Sequence, residues 1–61
     1  MNRFIIKPHK AFKFKKMLED EGVVYEAKGN IFWVDPNRVD EITMRITSDW
    51  DWEEKVDYSF E

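Results

Sequence analysis

Apolar residues fall in short bursts along this chain, and the spacing within each burst differs. Arg3-Phe4-Ile5-Ile6-Lys7 is rich in β-forming residues and reads as a first strand. Pro8 ends it, because proline cannot donate to a ladder. From 9 to 21 the period lengthens. Ala11, Phe14, Met17 and Leu18 share one helical face, and Gly22 supplies the stop. Lys10, Lys13, Lys16 and Asp20 occupy the opposite face, while Phe12 points off the apolar stripe. Residues 23–27 and 31–34 read as strands 2 and 3. The Lys28-Gly29-Asn30 turn between them makes a hairpin, since glycine supplies positive φ without steric cost.

The stretch after Asp35 carries two periods at once. Val39, Ile42 and Ile46 have helical spacing, whereas Ile42, Met44 and Ile46 alternate with Thr43, Arg45 and Thr47 as a strand would. Asp35 as N-cap with Pro36 at the first helical position favours the helix. Residues 56–60 alternate again and read as a last strand, with Trp50-Asp51-Trp52 in the connection before it. The order strand, helix, strand, strand, helix, strand predicts an α+β domain of the split βαβ, ferredoxin-like kind. The alternative is one helix on a four- to five-stranded antiparallel sheet. The predicted core is Phe4 or Ile5 with Ile6, Phe14, Leu18, Tyr25, Trp33 and Ile42.

Sixty-one residues make one small domain spanning 1–61, with a thin core. Such domains commonly add disulfides, metals or oligomerisation. The chain has no cysteine and one histidine, which removes disulfides, thiolate zinc sites and His clusters. Aromatic packing and self-association remain; five Phe, three Trp and two Tyr serve the first, and a homodimer is the expectation from the second. No apolar run approaches a membrane span, and the first residues do not form a signal peptide. The expectation is a cytoplasmic, intracellular protein without membrane contact.

The net charge of −3 conceals an asymmetry. Arg3, Lys7, Lys10, Lys13, Lys15 and Lys16 stand among the first sixteen residues with no acid. Asp49, Asp51, Glu53, Glu54, Asp57 and Glu61 stand near the other end against Lys55 alone. Either charged partners are intended, or the two ends meet and neutralise each other. The first helix places lysines at its N-terminal end and acids at its C-terminal end, against the macrodipole. Its Lys15–Glu19 and Lys16–Asp20 pairs also run in the less favourable direction. Helix stability therefore did not choose that layout, which points to a partner or to the acidic segment of the same chain.

No nucleophile–base pair, GxSxG, HExxH or phosphate loop is present, so the chain reads as a non-enzyme. Asp49, Asp51 and Glu53 alternate like calcium-loop ligands, but that loop's glycine and distal glutamate are missing. No catalytic residue, metal ligand or cofactor is predicted. The distinctive segment is Asp49-Trp50-Asp51-Trp52-Glu53-Glu54, a partner-binding candidate in which a tryptophan anchors and carboxylates steer a protein with a basic surface. An extended segment there would put both tryptophans on one side and the acids on the other; one ring buried and one exposed is the expected outcome. The alternative site is Lys10, Phe12, Lys13 and Lys16, a basic and aromatic mixture suited to RNA or single-stranded DNA. Lys28-Gly29 ahead of Ile31-Phe32-Trp33-Val34 faintly resembles the first ribonucleoprotein strand of RNA-recognition domains. The aromatic position is shifted, however, and the whole chain is acidic. In composition and in its cluster at 49–54 the chain resembles, at class level only, small phage-encoded proteins that block host enzymes or defence systems, some by imitating DNA charge. That resemblance implies an inhibitor of a nucleic-acid-handling or defence enzyme.

Overall fold

A computed structural model describes residues 3–61. It contains strands β1 (Arg3–Ile6), β2 (Tyr25–Lys28), β3 (Ile31–Val34) and β4 (Tyr58–Phe60) and helices α1 (Ala11–Asp20) and α2 (Val39–Asp49). Short 3-10 helices at Pro8–Lys10 and Pro36–Arg38 lead into the two α-helices, and a third, Trp52–Asp57, leads into β4. The strands form one sheet in the order β2-β3-β1-β4, with every neighbouring pair antiparallel. Because β3 lies between β1 and β2, the first crossover is split. This is the α+β, split βαβ arrangement read from the sequence.

Local chemistry sets the boundaries. Gly22 at φ +66° turns the chain out of α1 so that Val23 N donates to Leu18 O at 3.0 Å, and Val23 packs into the core. Val23 thus caps the helix, and β2 starts only at Tyr25. Asp35 accepts from Asn37 N at 2.9 Å and starts the turn that opens α2. The helical period wins at 39–49. Ile42 and Ile46 are buried, while Met44, which a strand would place beside them, is 70% exposed. Residues 56 and 57 belong to the last 3-10 helix, so β4 is shorter than its alternation predicted.

Both helices cover one face of the sheet. Phe4 and Ile6 from β1 and Phe32 and Val34 from β3 meet Phe14, Met17 and Leu18 of α1 and Ile42 and Ile46 of α2. Phe14 is central. Its ring lies 5.3 Å from Phe4, 5.0 Å from Phe32 and 6.4 Å from Trp50, in tilted or edge-on geometries. Such pairs add about 0.5–1.5 kcal/mol each beyond their buried area. Two core expectations are corrected. Trp33 lies on the outer face, and its neighbour Phe32 takes the core position, because the β1–β3 register sets Phe32 opposite Phe4. Tyr25 is half-buried at the edge, its ring on Phe32 and its hydroxyl donating to Glu19 Oε2 at 3.2 Å.

Candidate functional site

The segment at 49–54 is neither wholly extended nor wholly exposed. Trp50 leaves α2 in extended conformation, with its N–H still donating to Ile46 O at 2.9 Å. Its ring is buried between Phe14 and Tyr58, edge-on to both. Asp51 then caps the next turn. Its backbone carbonyl accepts from the N–H of Glu54 at 2.9 Å, and Glu54 Oε1 accepts from Asp51 N at 2.9 Å. This capping box bends the chain, so Trp52 emerges on the opposite side from Trp50 and is 84% exposed. Val56, 77% exposed, lies four residues on in the same 3-10 helix. One ring is therefore buried and one exposed. Trp50 is a core residue rather than part of a contact surface.

Two of the four acids in this segment, Asp49 and Glu54, are also engaged. Glu54 Oε2 accepts from Lys10 Nζ and from Lys13 Nζ, the latter at 2.7 Å. The hydrogen bond from Lys10, then those from Lys13 and the Asp51 N–H, hold its carboxyl down at about 2, against an ordinary 4.5. The same contact raises the Lys10 ammonium above its ordinary value. Asp49 binds Arg45, whose Nη1 reaches Glu21 Oε2 at 2.7 Å. His9 Nε2 lies 3.2 Å from Asp57 Oδ2, and Arg3 Nη2 lies 2.9 Å from Glu61 Oε1. The basic N-terminal third and the acidic tail thus close on each other. Of the six residues proposed from sequence, Asp51, Trp52 and Glu53 face solvent without an ion-pair or ring partner among the described residues. The outward acidic array expected of an extended segment is reduced: Asp51 and Glu53 stay exposed, while Lys10 and Lys13 hold Glu54 and Arg45 holds Asp49.

The alternative basic face divides in the same way. Lys10 and Lys13 turn toward Glu54, and Lys13 Nζ also sits 5.7 Å above the Trp50 ring. Phe12 remains 69% exposed, with Lys16 Nζ 5.3 Å over its ring. Lys16 and Lys13 flank a groove between the helices whose floor is Met17 and Trp50 and whose far wall is Arg45 and Asp49.

A second surface was not read from the sequence. The uncovered face of the sheet carries two rows of side chains fixed by the strand register. Glu26, Trp33 and Arg3 lie abreast in one, and Lys28, Ile31, Ile5 and Ser59 in the other. Apolar Trp33, Ile31 and Ile5 occupy the central strands β3 and β1, while charged or polar residues occupy the edges. Arg3 Nε is buried without a hydrogen-bond partner among the described residues. The signal that could have located this face was strand parity. Residues 31–34 are apolar throughout, so pairing across the hairpin with β2, which sets the charged Glu26 and Lys28 beside Trp33 and Ile31, decides which of Phe32 and Trp33 faces in.

Among the described residues no group of three or more His, Asp or Glu side chains is placed to hold a metal ion. Likewise no helix among them is long and apolar enough to cross a membrane. The chain matches no protein-family model, no curated protein and no solved structure.

Proposed function

We propose that this chain is a non-catalytic protein-binding domain whose contact surface is the 3-10 helix Trp52–Asp57, with Trp52 as its anchor. The observation that carries the reading is the contrast between two tryptophans two residues apart, one 3% and the other 84% exposed. Tryptophan is the residue most enriched in interface hot spots, and a fixed backbone presents its ring at little entropic cost. Glu53 supplies an uncommitted charge beside Trp52 in sequence. The partner this suits has an apolar slot with a basic rim. The sharper form of the proposal is an inhibitor of a nucleic-acid-handling or defence enzyme, acting in the cytoplasm. Because Asp49 and Glu54 are engaged internally, the aromatic anchor supports this reading better than imitation of DNA charge does.

The test is capture from a nuclease-treated extract of the native host with three baits: the wild-type chain, Trp52→Ala and Phe12→Ala. One stoichiometric protein retained by wild type and Phe12→Ala and lost by Trp52→Ala is the expected result. Equal retention by Trp52→Ala removes the anchor and the proposal with it.

A further inference from the structure

The uncovered face of the sheet has the composition of an interface rather than of a solvated surface. Solvent-facing sheet positions are ordinarily polar. Here the central strands present Trp33, Ile31 and Ile5, and the edge strands present Glu26, Lys28 and Ser59, with Glu61 opposite Arg3 just past β4. An apolar centre inside a polar rim, with Trp and Arg at its heart, is the anatomy of a recognition patch. We propose that this face binds a second copy of the chain, forming a two-fold dimer through sheet-on-sheet packing.

Charge selects both the partner and the axis. Three two-fold axes lie along the principal directions of the sheet, and the two in its plane give aligned packing. An axis along the strands stacks β2 over the partner's β4 and brings Glu26 toward Glu61, like over like. An axis normal to the sheet joins edges and leaves Trp33 uncovered. An axis in the sheet plane and across the strands sets each strand over its own copy, reversed, so that the two rows exchange. Glu26 of one protomer then lies over Lys28 of the other, and Lys28 over Glu26. Trp33 lies over Ile31 and Ile31 over Trp33. Neither Glu26 nor Lys28 has an ion-pair partner within its own chain among the described residues. Both are therefore free to pair across the axis. Aligned sheets pack about 10 Å apart at about −30°, near enough for such side chains to meet and interdigitate. Nucleic acid fits this face less well, since Glu26 and Glu61 stand on the rim where phosphates would run. A core of sixty-one residues without disulfides is also the kind that oligomerisation commonly supports.

Sedimentation of the full chain from micromolar to millimolar concentration tests this, with circular dichroism confirming that each variant is folded. Wild type should dimerise reversibly. Glu26→Lys, an exposed change, should raise the dissociation constant about tenfold or more by setting lysine over lysine. The exchange Glu26→Lys with Lys28→Glu should restore wild-type association. Trp33→Ala should also dissociate the dimer, which separates the face from the β2 edge because Trp33 is not on the edge strand. A monomer throughout the range would overturn the proposal, as would a dimer indifferent to Trp33→Ala or a charge exchange that fails to rescue. Binding of single-stranded DNA through Trp33 by a monomeric protein would overturn it as well.

Discussion

Glu54 concentrates the chemistry of this molecule in one side chain. Its Oε1 completes the cap of the last 3-10 helix and its Oε2 holds Lys10, which ends the first 3-10 helix, and Lys13 of α1, so it ties the tail to the helix layer. Its carboxyl titrates at about 2 in the folded chain and near 4.5 when unfolded. A depressed folded value means that the stabilisation is fully present above 4.5 and is lost as pH falls through that window toward 2. Stability of the wild-type chain should therefore fall on acidification between those values. Glu54→Gln should be less stable at neutral pH and should show a flatter profile across the window, as thermal melts at stepped pH will show. Equal slopes for the two proteins would mean that the lysine contacts are not kept in solution. In the sequence Glu54 stands as one of the steering carboxylates at 49–54. The lysines that engage it lie more than forty residues away in the chain, a distance over which no local pattern speaks.

At the level of elements, what was legible followed from punctuation and period. Asp35-Pro36 and Gly22 marked helix ends, and the Asp35-Pro36 start, rather than the apolar spacing that also allowed a strand, favoured the helix found at α2. Two things were not legible, for one shared reason. The parity of β3 and the relation between Trp50 and Trp52 each depend on a half-turn of the backbone. Four consecutive apolar residues hide that half-turn in the first case, and the Asp51–Glu54 capping box supplies it in the second. The missed sheet face follows directly from the first. The β2–β3 hairpin offers a sharp test of element chemistry. Gly29 sits at φ +61° with open space where a Cβ would be placed, so alanine there meets only the backbone penalty of the left-handed region. Gly29→Ala should cost about 1–2 kcal/mol. In a domain this small that lowers the melting temperature by roughly 4–8 °C per kcal/mol. A shift below about 2 °C would show that the turn relaxes to another form.

For the whole molecule the governing fact is that opposite ends of the chain neutralise one another. Arg3 meets Glu61, His9 meets Asp57, and Lys10 and Lys13 meet Glu54. Two of the lysines placed against the macrodipole of α1, Lys10 and Lys13, thereby face a carboxylate from the tail, which offsets a helix-end term of about 0.3–1 kcal/mol. The same closure decides how the chain should behave toward nucleic acid. Binding of single strands is driven by cations that release counterions, and here two of the most promising cations are occupied within a domain of net charge −3. Wild type should therefore bind an oligothymidine no more tightly than nonspecific proteins do, on the order of 10⁻⁴–10⁻⁶ M at physiological salt. Glu54→Gln releases Lys10 and Lys13 and removes one negative charge. Affinity should rise, and the slope of log K against log salt should steepen by about 0.7 for each lysine that then neutralises a phosphate. Fluorescence titration against labelled oligonucleotide over a salt series reads both quantities. Nanomolar wild-type binding with a steep slope that Glu54→Gln leaves unchanged would mean that other cations, Lys15 and Lys16 first among them, form a working nucleic-acid site. In that event the basic face of α1, with Phe12 at its centre, would displace Trp52 as the functional surface.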